Sequence, residues 1–541
     1  MRSRGLATGR SFRGSLRPRR WGVLALLASL IHIASFDIRR QPILSDVGIY
    51  LYHAFRAASG DVLYRDYFDY KTPFSTLLGA FLYRTGESVG VEPLLVIRIG
   101  FLLLAAIMMT LSFLVFFHLF RGRAGAGWIA LIVLSGFSLL GLLPAIGIIP
   151  KLAAMVFALA AILAVHHQRW ILVGVFVTLA GADWQIAAGL SLVAVLAGLA
   201  ASETDRGKAT GRLLVGMIMA AAPFLVYFGA HGALDEAWRA VVGSAISRGS
   251  QSLQAIGIWQ RFTEAILPTT LADGEGGEWA LVLSVAGMLL LPFTLLSRRG
   301  DRTFPLATSL TVWLYGVVGF SLLDFQFHGD AYFLLGALGL FAALPVCIFY
   351  YSARKAIGLR RRALSPRGRR LATRTLSAAL GAALLTLARP SFLAGELRVN
   401  RPPLFGARYT LADQREVSDR FFARLGDGEA VFFAKWENLF LGRRIDPLPF
   451  VTWDFATDSF FSATSEGDIF THLVEILDRL GPDVVVPRQN DLRRPEGAPL
   501  LCWLRQSYVE DRLLSGGGYR LIFWVRKGEG RSGSDRNGNG D

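Results

Sequence analysis

DVGIYLYHAFRAASGDVLYRDYFDYKTP, residues 46–73, is polar, aromatic and acidic, and it follows directly on the first long apolar run of a largely hydrophobic chain. It lies in a stretch of roughly 50 residues between two apolar runs, too long for a mere connector; loops of that length are functional or disordered. Its many Tyr, Phe, Leu and Val residues exclude disorder. Tyr50, Ala54 and Ala57 recur at helical spacing, and Gly60 ends that pattern. The reading is of amphipathic helices at a membrane surface, their aromatic rings at headgroup level.

The rest of the chain supplies the membrane. Of 541 residues, 53% are hydrophobic, and several apolar runs reach the roughly 17–25 residues that cross a hydrocarbon core. After Trp21–Phe36, read as an anchor rather than a cleaved signal peptide, runs cover 94–120, 127–146, 152–165, two halves of 170–200, 213–230, 279–296, 304–323, 331–351 and 375–391. The net charge of +16 does not imply nucleic acid. The basic residues flank apolar runs instead of mixing with an aromatic face. They follow every second run, at Arg121-Gly122-Arg123, at His166, His167 and Arg169, at 202–212, at 297–302 and at 353–370. That parity puts the N-terminus and these turns in the cytoplasm. The 46–73 stretch, the turns at Lys151 and Asp183, the 231–278 loop with its interfacial Trp238 and Trp259 segments, and the His328 loop then lie outside.

The expected fold is a polytopic all-α membrane protein of about 11 transmembrane helices with a small C-terminal extracytoplasmic α/β domain. Residues 1–21 form a basic cytoplasmic tail, 22–394 the membrane core with its site-bearing loop at 37–93, 395–527 the α/β domain, and 528–541 a disordered tail. Within the α/β domain, 430–434, 484–486 and 519–525 read as strands, and 466–480 and 499–512 as helices. Two cysteines, one in an apolar run, predict no disulfide and no cysteine metal site.

The candidate chemistry gathers on the outer side. Asp46 is either the N-cap of a helix over 47–58 or a general base, or an acid that holds a metal or an acceptor hydroxyl. Lys71, before Thr72-Pro73 and after Asp66 and Asp69, is either a snorkelling lysine or a clamp for a lipid phosphate. Arg98 lies inside the second span, where a guanidinium needs a partner; a structural ion pair is expected. His328 and Asp330 stand at another outer boundary, as structural groups or ligand contacts. No Walker loop, GxSxG or HExxH occurs.

Asp46, Tyr50, Gly60, Tyr64-x-Asp66 and Lys71-x-Pro73, ahead of an apolar run that opens with Arg98, together resemble the first outer loop of the GT-C glycosyltransferases. The nearest resemblance is to the bacterial protein mannosyltransferase, aminoarabinose transferase and rhizobial lipopolysaccharide sugar transferase type. It covers most of 22–395 and is specific in the first loop. It implies an integral inner-membrane glycosyltransferase that takes sugar from a polyprenyl-phosphate donor, usually with inversion. The acceptor would be a lipopolysaccharide, another cell-surface glycan or a protein. Asp46 would be the catalytic acidic residue that activates or orients the acceptor hydroxyl. Lys71 would meet the donor phosphate, with Lys151 and His328 as further donor contacts. Tyr50, Tyr64, Asp66, Arg98, Asp183 and Asp330 would support them.

One position departs from the pattern. Where many relatives carry a second acid, this chain has Ile149-Pro150-Lys151. Asp183 in the next outer turn is a substitute, or Lys151 is a second phosphate contact. No metal ligand set is assigned, and a divalent metal is the one cofactor the resemblance admits. The competing readings are a polytopic transporter and a catalytically inactive assembly protein on the same scaffold. A transporter places ionisable groups mid-span at broken helices; here the acids collect at one boundary.

Overall fold

A computed structural model describes residues 16–69, 71–137, 139–243, 263, 277–323, 328–359, 365–388, 409–423, 431–433, 436–443, 445, 469–487, 492, 497–516 and 519–527. The side chains of Ser45, Asp46 and His328 lie outside the described set.

Among the described residues, each expected apolar run is helical over most of its length. The helices are α1 (Leu16–Ile33), α2 (Ser45–Ser59), α3 (Phe74–Ser88), α4 (Pro93–Leu119), α5 (Ala124–Ser135), α6 (Leu139–Ile146), α7 (Pro150–His166), α8 (Trp170–Asp183), α9 (Gln185–Ala200) and α10 (Arg206–Ala230). After a short α11 (Leu234–Trp238) come α12 (Gly277–Leu296), α13 (Phe304–Leu323), α14 (His328–Leu359) and α15 (Pro366–Ala388). Among the described residues, five helices are long and apolar enough to cross a membrane alone, and α5 with α6 form a pair bent by 61°. The apolar α7, α8 and α9 are shorter. Of the two expected interfacial segments, Trp238 ends α11, and Trp259 lies outside the described residues.

The alternation read from charge is visible in the contacts. At one end of the bundle Arg121 pairs with Asp301 at 2.7 Å, Arg123 lies over the Tyr351 ring, and the His118 ring centroid is 4.7 Å from that of His166 and 5.1 Å from that of His167. Turns after the second, fourth, eighth and tenth runs thus share one end. At the other end Lys151 meets Asp330, Ser75 meets Asp183, and Arg98 reaches Ile38, Gln41 and Ile146.

Helices α8 and α10 cross at backbone contact. A Cβ on Gly174 would lie 2.0 Å from the Leu213 carbonyl oxygen, and one on Gly216 2.0 Å from that of Ile171. Small residues let spanning helices approach this closely. Gly174→Leu is therefore expected to cost about 1–3 kcal/mol by forcing the pair apart, seen as a lower melting temperature in detergent.

The α/β part begins with α16 (Leu411–Phe422), started by a capping box in which the Asp413 carboxylate accepts from the Thr410 N–H at 2.6 Å. Then follow β1 (Val431–Phe433), α17 (Trp436–Leu441), α18 (Ile469–Leu480), β2 (Val484–Val486), α19 (Ala498–Ser507), β3 (Tyr508–Gly516) and β4 (Tyr519–Arg526). The sheet order is β1-β2-β4-β3, with β1 parallel to β2 and the other pairs antiparallel. One expectation is corrected: the helix predicted over 499–512 stops at Ser507, and Tyr508 starts a strand. That strand forms a hairpin with β4, interrupted by a register shift between Asp511 and Leu514.

Candidate functional site

The first loop is two helices and a tight coil. Helix α2 begins after Leu44, its N-cap, so Ser45 and Asp46 are its first two residues and neither caps it. The N-cap reading of Asp46 is thereby replaced by a place in the first helical turn, where free N–H groups and the helix dipole favour a carboxylate. The helix ends where Gly60 takes a left-handed conformation, φ 113°.

It does not float on a surface. Leu51, Tyr52, Ala54 and Phe55 are buried, and the helix packs against α3 and α17. A Cβ on Gly147 would stand 2.8 Å from the Val47 methyl. The turn before α7 can lie against the start of α2 only because residue 147 has no side chain. Asp46, next to Val47, and Lys151, four residues past Gly147, are therefore brought to one end of the bundle by backbone packing.

The coil from 60 to 73 is cross-braced. His53 Nδ1 and Asp69 Oδ2 are 2.9 Å apart, both side chains 3% exposed. The other Asp69 oxygen accepts the Lys71 N–H at 2.9 Å. Tyr64 holds a positive φ of 73°, a conformation non-glycine residues adopt only when held. Its hydroxyl donates to the Lys71 carbonyl at 2.6 Å. Burial, with help from the Asp69 charge, pushes the Tyr64 phenol up, so it remains the donor. Asp66 accepts the Val62 N–H at 2.7 Å, and its hydrogen bond from Arg65 holds its carboxyl below the usual range. Lys71 itself is half-buried. Tyr64, Asp66 and Asp69 thus fix the backbone that presents Lys71. Tyr50 is half-buried on the core.

Beyond Lys71 the chain enters α3, and its second residue, Ser75, donates to the buried Asp183. The second Asp183 oxygen accepts the Ala154 N–H at 2.7 Å. Trp184, the next residue, lies under Lys151, whose Nζ is 4.7 Å from the ring centroid. Lys151 forms an ion pair with Asp330, in the first turn of α14; the side chains are 15% and 6% exposed. Four sequence candidates are thus linked: Lys71 through Ser75 to Asp183, and Asp183 through Trp184 to Lys151 and Asp330. His328 is the first residue of α14, two positions before Asp330.

The unexpected lysine at 151 has its acid on another helix. Removing one partner of such a pair strands the other charge. Lys151→Met and Asp330→Leu should each cost about 2–3 kcal/mol, below the fully buried range because Lys151 keeps some water. The double variant should recover most of that, a coupling readable from a thermal double-mutant cycle.

Arg98 corrects an expectation. Fully buried at 1% exposure, it has no carboxylate partner among the described residues. It donates instead to three carbonyls, those of Ile146 at 2.8 Å, Gln41 at 2.8 Å and Ile38. It ties the end of α1 and the approach to α2 to the turn before α7. The α/β domain grips the same segment. Gln414, wholly buried, accepts the Ile43 N–H at 2.8 Å and donates to the Ile43 carbonyl at 2.9 Å.

Sequence reading had singled out neither His53, Asp69, Trp184 nor Gln414 as site-building residues. Among the described residues no three His, Cys, Asp or Glu side chains are placed to hold a metal. Asp69, Asp183 and Asp330 are each engaged by other groups.

No protein-family profile matches the sequence, and no curated protein does. The fold does have counterparts. ArnT from Cupriavidus metallidurans in the apo state superposes with a TM-score of 0.57 at 14% identity, over 94% of this chain and 98% of that one. The same protein bound to undecaprenyl phosphate gives 0.53 at 15% identity, over 93% and 98%. The Archaeoglobus fulgidus oligosaccharyltransferase, tethered to an acceptor peptide containing the NVT sequon, gives 0.51 at 14%, over 93% and 74%. The chain has the GT-C glycosyltransferase fold. Its multi-pass helical core and its terminal α/β part both fall within the aligned length. The resemblance drawn from the first loop is therefore matched by the architecture around it.

Proposed function

We propose that this GT-C protein is a membrane glycosyltransferase that moves a sugar from a polyprenyl-phosphate donor to a glycan, lipid or protein acceptor on the outer face of the plasma membrane. The supporting observation is the end-to-end match to ArnT, a protein whose structure holds undecaprenyl phosphate, in a chain whose polar candidates meet at one end of the bundle.

In this reading Asp46 accepts the proton of the acceptor hydroxyl as its oxygen attacks the anomeric carbon. The bond from that carbon to the phosphate oxygen breaks, and polyprenyl phosphate leaves with the electron pair. Lys151 and Lys71 stabilise the departing phosphate, an effect strongest where water is excluded. Asp330 holds Lys151 when no phosphate is present, and Trp184 supports its ammonium from below.

The test is transfer of radiolabelled sugar from polyprenyl-phosphate donors in membranes with and without the protein. Incorporation that depends on the protein supports the reading. Labelled solute crossing sealed vesicles without any transfer would support a transporter instead.

A further inference from the structure

A cleft of about 300 Å³ opens where the α/β domain meets the membrane core, between residues 38–39, the first turns of α4 and the first turns of α16. Ile38, Leu94, Leu95 and Leu411 form its apolar wall. Arg39, Arg98 and Arg415 share the lining with one acid, Glu92, so it carries a net positive charge. Glu92 is paired with Arg415, and Arg98 is saturated by carbonyls without losing its charge. The exposed Arg39 guanidinium makes no hydrogen bond or ion pair among the described residues.

The cleft also has a direction. It sits at the depth where α1 ends and α4 begins, the level of lipid headgroups on that face. From Leu95 an apolar column continues down α4 at steps of four residues. Ile99, Leu103 and Ile107 are 43%, 46% and 40% exposed, and residues so spaced share one helix face. A cationic mouth at headgroup depth above an uncovered apolar stripe matches one chemistry, an anionic headgroup on a hydrocarbon chain.

We infer that this cleft binds a lipid-borne phosphate. Arg39 and Arg415 donate charge-assisted hydrogen bonds to the phosphate oxygens, and the chain lies along Leu95, Ile99, Leu103 and Ile107. A phospholipid of the bilayer and a polyprenyl phosphate share that chemistry. The site does not depend on the transferase reading, since binding needs no turnover.

The test uses the full chain with Cys502→Ser and Leu95→Cys. Cys502 is exposed and Cys347 buried, so a maleimide reports on position 95 alone. The protein is placed in phosphatidylcholine nanodiscs with or without a minor fraction of phosphatidic acid or of undecaprenyl phosphate, and the labelling rate is measured. Protection by either lipid supports the site, and the protecting lipid names the source. Adding Arg39→Gln should weaken protection about tenfold in lipid concentration, the loss expected for one charge-assisted bond. Among the described residues the Arg39 guanidinium has no partner to strand, so this variant should melt as its parent does. Equal labelling in all three nanodiscs, or equal protection with Gln at position 39, overturns the inference.

Discussion

Asp46→Asn is expected to lower sugar transfer by about 10²–10⁴-fold, the contribution of a positioned general base, with little change in melting temperature. Asparagine keeps the shape of the side chain and loses only its ability to take a proton. Position 46 is the second residue of α2, and the residues around it are fixed from several sides. Val47 abuts Gly147, and Ile43 is held at both backbone groups by Gln414. A loss of activity in the Asn variant would therefore report chemistry and not collapse of the loop. Transfer equal to that of the parent, measured with radiolabelled donor at matched protein levels, would remove Asp46 from the mechanism. Asp46→Glu should keep part of the rate, since the base remains but is displaced by one methylene.

Which features the sequence disclosed follows from the range of the interactions. Apolar runs and the charges beside them are local, so the helices and their alternation could be read directly. The pairing of Arg121 with Asp301 puts the turns after the second and eighth runs at one end, as the alternation of charge predicted. Lys151 looked anomalous because its counterion is Asp330, on a helix far along the chain, and no periodicity connects them. His53 and Asp69 are only 16 residues apart, but one is on a helix and the other in a coil, so spacing carries no signal. Arg98 was expected to need a carboxylate; carbonyls at an irregular turn satisfied it instead, and backbone partners leave no mark in sequence. The strand Tyr508–Gly516 was missed although a signal existed. Gly516-Gly517-Gly518 separates two β-prone runs, a hairpin pattern.

Arg98→Met is expected to be the most destabilising single change in the core, about 3–5 kcal/mol. Two effects oppose each other. Methionine removes a buried charge that makes no ion pair among the described residues, which favours the variant. It also strips the donor from three carbonyls, of Ile38, Gln41 and Ile146, each costing about 1–3 kcal/mol if left unpaired in a buried place. Replacing a buried polar cluster with apolar groups helps only when every partner is replaced, and these partners are backbone. The loss therefore wins. Arg98→Lys should recover only part of the stability. One ammonium cannot match the planar fork of a guanidinium reaching three separate segments. The same change should cost activity in both variants, because Gln41 leads into α2 and Ile146 into the turn before Lys151. Chemical unfolding in micelles, with transfer measured on the same samples, separates the two outcomes. A Met variant within about 0.5 kcal/mol of the parent would show that those carbonyls find other donors, and that Arg98 does not hold the two halves of the site together.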